Sequence, residues 1–179
     1  MNREEIIKIT KDDFESFFRV MKNAFPEIEI RSYEGQKKIF DEDGYRVTGY
    51  KNNEDNVTAF IASWNFEDFK FIEHFAVDEN LRGNGIGSAL INEFLKVSGQ
   101  KIVLEVEFPE DDISERRIEF YKKIGMKLNE YEYVQPPLQE GKELLPLKIM
   151  SYPEELTEEE FKNIQRDIYE KVYKYDGIK

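Results

Sequence analysis

The chain has 179 residues, of which 40% are hydrophobic and 14% aromatic, so it is long enough to bury the core of one globular domain. Its formal net charge of −12 argues against nucleic acid as a partner, because phosphate backbones are bound mainly through clusters of Lys and Arg. The absence of cysteine excludes disulfides and thiolate chemistry, and a single histidine excludes a multi-histidine metal site.

Nothing in the sequence predicts a membrane span or an export signal. No apolar run reaches the ~18 residues that a spanning helix requires, and the first ten residues are charged rather than apolar. We therefore expect a cytoplasmic protein with no bound metal. An acidic surface usually serves solubility, although it would also steer a cationic substrate inward.

The first predicted element is a helix capped by Thr10, with Asp13 three residues later as in a capping box. Pro26 ends this helix. Its apolar face is formed by Phe14, Phe17, Phe18, Met21 and Phe25. The polar residues 27–43 predict a short second helix and a loop, and we expect acceptor specificity to be encoded there.

Three consecutive antiparallel strands are predicted next, at Tyr45–Lys51, residues 57–64 and Phe69–Val77. Strand alternation would place the following side chains on one face of the third strand: Phe69, Phe71, Glu73, Phe75 and Val77. Burial in this apolar row would raise the pKa of Glu73 toward neutrality. The alternative is a half-exposed Glu73 paired with a lysine. His74 would point to the opposite face and have a structural role.

A glycine cluster connects the third strand to a helix whose apolar residues recur at helical spacing. The first turn of a helix has unpaired N–H groups and the positive end of the dipole, so it binds anions. Glycines let the backbone approach a diphosphate, and Arg82 adds a cation. The loop lacks the lysine of a P-loop and the final spacing of a dinucleotide fingerprint. It therefore predicts a site for a different phosphorylated cofactor.

The second half of the chain contains a buried strand at residues 101–107 and a helix capped by Ser114 and ended by Gly125. Two more strands are predicted at residues 127–134 and 144–150. A capping box at Thr157 then begins a last helix with one apolar face. This helix either packs on its own domain or contributes to a homodimer contact.

The glycine cluster resembles the acetyl-CoA-binding motif of the GNAT superfamily of N-acetyltransferases: a basic residue or Gln, two residues, Gly, any residue, then Gly or Ala. Residues 82–87, Arg-Gly-Asn-Gly-Ile-Gly, fit this pattern, and residues 118–126 resemble a second block of the family. The resemblance implies an α/β GNAT fold, with a mixed, mostly antiparallel sheet, a central parallel strand pair that splays apart, and helices on both faces. It also implies a GNAT domain at residues 1–152 with a helical extension at residues 153–179.

The same resemblance implies acetyl-CoA as cofactor. The residues expected to bind it are Phe75, Ala76, Val77, Arg82, Gly83, Asn84, Gly85, Ile86, Gly87, Ser88 and Tyr121. The backbone N–H of Val77 would polarise the thioester carbonyl. One departure from the family is that Ser114 and a longer preceding loop replace an Asn that commonly precedes this helix.

Acetyl transfer to an amine needs a general base and a proton for the leaving thiolate. Glu73 and Glu105 are the candidate bases, acting directly or through water, and the sequence does not choose between them. Tyr121 matches a family tyrosine near the cofactor sulfur and is the expected proton donor, the alternative being a core aromatic. We predict an acetyl-CoA-dependent N-acetyltransferase whose acceptor is a primary amine, with a small cationic amine favoured over a protein N-terminus. The rival hypothesis is a catalytically silent acyl-CoA-binding or interaction module.

Overall fold

The computed structural model describes residues 5–177 as an open seven-stranded sheet covered by helices on both faces. The strands are β1 (Ile7–Ile9), β2 (Tyr45–Lys51), β3 (Val57–Asn65), β4 (Phe69–Val77), β5 (Lys101–Val106), β6 (Lys127–Gln135) and β7 (Leu145–Tyr152). The helices are α1 (Phe14–Ala24), α2 (Tyr33–Lys38), α3 (Ile86–Ser98), α4 (Asp112–Lys123) and α5 (Glu158–Ile168). The spatial order is β1-β2-β3-β4-β5-β7-β6, with β4 and β5 parallel and the other neighbours antiparallel. The predicted fold class is confirmed.

Two apolar clusters lie on opposite faces of the sheet. One joins the sheet to α1 and α5, and the other joins it to α3 and α4. The β2–β3 hairpin and β4 lie where the sequence predicts them, and Gly125 follows the end of α4 with a φ of 99°. The helical spacing of apolar residues correctly predicts the buried faces of α1 and α5, whereas on α3 the apolar Val97 is exposed.

Ser114 does not cap α4, contrary to the sequence-based prediction. The Asp111 carboxylate accepts hydrogen bonds from the backbone N–H groups of Ile113 (3.0 Å) and Ser114 (2.7 Å). Asp111 is therefore the cap, and the helix begins at Asp112, before Ser114. Ser114 is the third helical residue, and its hydroxyl accepts a bond from the Asp111 N–H. An ionised Asp in this position is a better acceptor for the first amides than a serine hydroxyl.

A β-bulge interrupts β4 at Glu73. Ala62 pairs with His74, whereas the next residue of β3, Ser63, pairs with Ile72, which leaves Glu73 as the extra residue. The strand therefore changes face: Phe69 and Phe71 belong to the α1 side of the sheet, and Phe75 and Val77 belong to the α3 side. The predicted single apolar row is wrong, because an inserted residue inverts the alternation that follows it.

The two parallel strands separate beyond their first residues. Pairing between β4 and β5 runs from Phe69 with Lys101 to Ile72 with Leu104, and it stops immediately before the bulge. Beyond that point β4 continues to Val77 along β3, and β5 continues along β7. The expected splayed pair is therefore present, and it leaves a gap in the middle of the sheet.

The last helix packs on its own chain. Its apolar face, which includes Phe161, Ile164 and Ile168, belongs to the same cluster as α1. The ring of Phe161 stacks on that of Tyr131, with ring centres 4.6 Å apart. The apolar face of this helix is therefore buried within the chain, and a homodimer contact stays a prediction.

Candidate functional site

A cleft of about 630 Å³ opens where β4 and β5 separate. All three predicted catalytic residues, Glu73, Glu105 and Tyr121, line it. The predicted cofactor residues also line it, except Asn84. The side-chain amide of Asn84 instead donates to the carbonyl of Leu81, within the glycine loop. Residues separated by about fifty positions in the sequence thus meet around one space.

The glycine loop leaves the start of α3 without partners of its own. Gly83 (φ 82°) and Gly85 (φ 78°) are left-handed, a conformation that other residues rarely adopt. Gly85 precedes the helix and has no side chain to cap it, and the first helical bond runs from Ala89 to the Gly85 carbonyl. Within residues 5–177, the N–H groups of residues 86–88 have no hydrogen-bond acceptor. Unpartnered amides at a helix N-terminus are a binding site for anions.

Gly87 leaves little room for a side chain between α3 and β4. A Cβ atom there would lie 3.2 Å from Cγ2 of Val77 and 3.3 Å from Cζ of Phe75. The first turn of α3 therefore lies directly against the end of β4. Arg82 fixes the same junction, because its Nε donates to the Val77 carbonyl (3.1 Å). Its terminal nitrogens make no contact within the described part of the chain, and Arg82 is exposed at the cleft.

Glu73 is held by an ion pair inside the protein. Its side chain has no exposed surface, and its Oε1 lies 2.7 Å from Nη2 of Arg31. The indole N–H of Trp64 donates to the other oxygen at 3.1 Å. Burial alone would raise the pKa of Glu73, but the Arg31 charge and these bonds lower it below its ordinary value. The expected rise is therefore wrong, and so is the alternative of a lysine partner.

Glu105 is surrounded by hydrogen-bond donors. The Tyr133 hydroxyl donates to Oε1 at 2.5 Å, and the Gln135 amide donates to Oε2 at 2.8 Å. The Tyr173 hydroxyl lies 2.8 Å from both oxygens. Burial raises the pKa of Glu105 to about 7, while the three donors oppose the rise and the Glu73 charge adds to it. A carboxyl group that titrates near neutrality is suited to general-base catalysis.

Tyr121 lines the cleft from α4 and is 7% exposed. Burial raises the pKa of its hydroxyl to about 12, against a lowering by the Arg117 charge. The hydroxyl has no hydrogen-bond partner among the described residues. It therefore keeps its proton at neutral pH and has no protein acceptor that competes for it.

The sequence did not identify a second acidic group in the cleft. Glu29, which follows α1, and Glu107, which follows β5, both line it. Burial raises the pKa of Glu29 to about 7, and the neighbouring charge of Glu107 contributes. Arg117 donates to Glu107 at 3.1 Å. Glu29 lies within the stretch expected to encode acceptor specificity, which stays a prediction, and alternation with Glu105 along β5 was the one signal for Glu107.

No helix between residues 5 and 177 is both long and apolar enough to cross a membrane. The same residues contain no group of three or more His, Asp or Glu side chains arranged to hold a metal ion.

With the fold and the cleft described, comparison with known proteins gives the family. The sequence model of the Acetyltransferase (GNAT) family matches residues 4–126, and the chain belongs to this family. It is similar to a GNAT-family protein of Bacteroides thetaiotaomicron of known structure, with 30% identity and a TM-score of 0.86 over 98% of this chain and 99% of that chain. It also resembles an uncharacterized N-acetyltransferase of Methanocaldococcus jannaschii, with 31% identity over 144 residues, or 70% of this chain. The chain spans 61% of the length of that archaeal protein.

Two more distant structures share the fold. The ribosomal-protein-S18-alanine N-acetyltransferase of Escherichia coli has 19% identity and a TM-score of 0.61 over 87% of this chain and 97% of that chain. A spermidine N-acetyltransferase chimera of Vibrio cholerae and hSSAT has 15% identity and a TM-score of 0.63 over 84% of this chain and 95% of that chain. Their names describe two different kinds of amine acceptor, so the fold does not select the substrate.

Proposed function

We propose that this chain is an acetyl-CoA-dependent N-acetyltransferase that transfers the acetyl group directly to a primary amine. The observation that carries the proposal is the cleft, which joins the unpartnered amides at the start of α3 to a carboxyl group and a phenol. Acetyl-CoA would bring a pyrophosphate and a thioester, the activated form of the acetyl group. The unpartnered amides of residues 86–88 and the free end of Arg82 fit the pyrophosphate in charge and hydrogen-bonding character.

Glu105 is the residue that we propose as the base. With a pKa of about 7 it is substantially ionised at neutral pH and can accept the proton of an ammonium acceptor, directly or through water. A carboxylate has about four acceptor positions, and three donors occupy the Glu105 oxygens, so acceptor capacity remains for the incoming proton. Glu73 is already paired with Arg31, and its proposed part is electrostatic, because its negative charge raises the Glu105 pKa.

Tyr121 is proposed to donate its proton to the departing sulfur. Its hydroxyl is protonated at neutral pH, lines the cleft and has no acceptor in the described chain. Val77 lines the cleft at the end of β4, which supports its proposed role of polarising the thioester carbonyl through its N–H group. In this proposal Glu105 accepts a proton from the amine, Val77 polarises the thioester carbonyl, and Tyr121 protonates the departing thiolate.

A small cationic amine is the acceptor that the cleft favours. Glu29 and Glu107 present a second acidic group in the same space as Glu105, and the net charge of −12 attracts cations at long range. Glu105 and Glu107 are two residues apart on or beside one strand, or about 7 Å along it. A second ammonium group on the acceptor could therefore contact Glu107 while the first lies at Glu105.

Thiol release from acetyl-CoA in the presence of different amines tests the proposal. The panel contains diamines and polyamines, an aminoglycoside, single amino acids and peptides with free N-termini, each at several pH values. We expect release with at least one amine, and a loss of kcat of about 10² to 10⁴-fold in Glu105→Gln. Glu143→Gln, which changes an exposed acid that does not line the cleft, is the matched control. Cofactor binding without release across the panel would instead support the silent acyl-CoA-binding module.

A further inference from the structure

We propose that Tyr173, near the end of the chain, is a positioning residue for Glu105, so that the segment after α5 completes the active site. The proposal rests on the proposed function, in which Glu105 is the base. Tyr173 and its neighbour Gln135 both lie beyond residues 4–126, the part that the family model matches. No sequence motif of the glycine loop or of α4 points to either residue.

The contacts place Tyr173 at the centre of the group around Glu105. Its hydroxyl lies 2.8 Å from each carboxyl oxygen, whereas Tyr133 and Gln135 each contact one. The phenol has a single proton, which it shares between the two oxygens, and its own oxygen accepts a bond from Gln135 at 3.1 Å. Tyr173 therefore orients the carboxyl group and stabilises its ionised form.

The segment around Tyr173 is held by hydrogen bonds to two other parts of the chain. After α5 the chain widens into a π-helical turn at Tyr169–Tyr173, a rare conformation that often occurs at functional sites. The Tyr169 hydroxyl donates to the Val134 carbonyl. Arg31, which pairs with Glu73, also donates to the Val172 carbonyl at 3.3 Å. The segment that supplies Tyr173 is thus tied to β6 and to the Arg31–Glu73 pair.

The charges around Glu105 give the direction of the expected effect. Tyr133 and Gln135 face it from β6, Tyr173 faces it from the C-terminal segment, and the ionised Glu73 acts on it from β4. Donors stabilise the ionised carboxylate, whereas Glu73 and burial favour the protonated form. Burial and the Glu105 charge raise the pKa of Tyr173 well above its ordinary value, so Tyr173 keeps its proton and donates it to the ionised Glu105 in a hydrogen bond. Removal of its hydroxyl should make Glu105 easier to protonate.

Tyr173→Phe tests this inference, with Tyr131→Phe as the matched control. Each variant loses one tyrosine hydroxyl, but the Tyr131 hydroxyl donates to the Leu156 carbonyl (2.9 Å) rather than to Glu105. In protein labelled with ¹³C at the glutamate carboxyl groups, the Glu105 signal is assigned by its loss in Glu105→Gln. We expect its titration midpoint to rise by about one pH unit in Tyr173→Phe, and to stay at the wild-type value in Tyr131→Phe.

Kinetics give the second readout. The acidic limb of the kcat/KM profile should move up by about one pH unit in Tyr173→Phe, so that activity falls about tenfold below the limb and recovers above it. A purely structural role would scale the whole profile by one factor and leave the carboxyl midpoint unchanged, and this result would overturn the inference. If the wild type transfers acetyl to no amine, the proposed function fails, and the carboxyl titration still decides whether Tyr173 controls Glu105.

Discussion

The ion pair between Arg31 and Glu73 offers the strongest test of how the centre of the sheet is stabilised. The Glu73 side chain has no exposed surface, and its Oε1 lies 2.7 Å from Nη2 of Arg31. Arg31→Met would remove that charge and leave the buried carboxylate without its partner. Removing one partner of such a buried pair typically destabilises a protein by about 3 to 5 kcal/mol. That loss is a large part of the total stability of a domain, which is about 5 to 15 kcal/mol.

The pH dependence of this loss follows from the pKa of Glu73. In the wild type the pKa is lowered, so the ionised pair stabilises the fold above the pKa of unfolded Glu and is lost as pH falls. Without Arg31, burial dominates and raises the pKa of Glu73 above its unfolded value. The penalty in Arg31→Met should therefore be largest near pH 8 and become smaller as pH falls and Glu73 takes up a proton.

Urea unfolding of four variants at pH 8 and pH 5.5 measures this directly. Besides Arg31→Met, the set contains Glu73→Gln, the double variant Arg31→Met/Glu73→Gln, and Arg19→Met as a control for the same change on the exposed side of α1. We expect the double variant to recover most of the stability lost in Arg31→Met at pH 8, because it contains no unpaired charge. Equal losses for Arg31→Met at both pH values, with no recovery in the double variant, would refute the reasoning.

Three further predictions concern the cleft. Gly87→Ala should weaken coenzyme A binding about tenfold in calorimetry, because its Cβ would press against the Val77 and Phe75 side chains where they line the cleft. Gly99→Ala, also strained but at the other end of α3, should lower stability and leave affinity unchanged. Tyr121→Phe should lower kcat about 10- to 100-fold, and an unchanged kcat would rule out proton donation. Because the Tyr121 pKa is about 12, ionisation of Tyr121 should not lower the wild-type rate below about pH 10. Glu29→Gln/Glu107→Gln should raise KM for diamines about tenfold more than for monoamines; equal effects on both would exclude a second ammonium site.

Local patterns in the sequence predicted the parts of the site that local physics determines. The glycine loop and the following amphipathic helix define an anion site by themselves, because both the left-handed turns and the free amides arise within a few residues. The structure places Gly83 and Gly85 in left-handed turns and Gly87 in the first turn of α3. Glu105 was proposed as an acid inside an otherwise apolar strand, and Tyr121 through its match to the family tyrosine; both line the cleft, and their roles stay predictions.

Long-range pairing could not be predicted from one sequence. The bulge at Glu73 depends on how β3 pairs with β4, and strand alternation alone predicts the wrong face for everything after it. Arg31 is separated from Glu73 by more than forty residues, and nothing in the polar stretch before α2 marks it as the partner. Without that partner, burial predicts a raised pKa for Glu73, which is the opposite of what the ion pair produces.

The surroundings of Glu105 show the same limit. Its three donors come from β6 and from the segment after α5, between 28 and 68 residues further along the chain. The C-terminal helix was correctly predicted from its capping box and apolar face, but a tyrosine in the turn that follows it looked like any other partly apolar residue. Only the fold brings that hydroxyl to the carboxyl group.

A crystal structure with coenzyme A bound would report where the pyrophosphate lies relative to α3. We expect pyrophosphate oxygens within about 3.2 Å of the amide nitrogens of residues 86–88, with Arg82 beside them and the sulfur in the cleft between Glu105 and Tyr121. A pyrophosphate bound elsewhere, or a sulfur that reaches neither of those two side chains, would contradict this expectation.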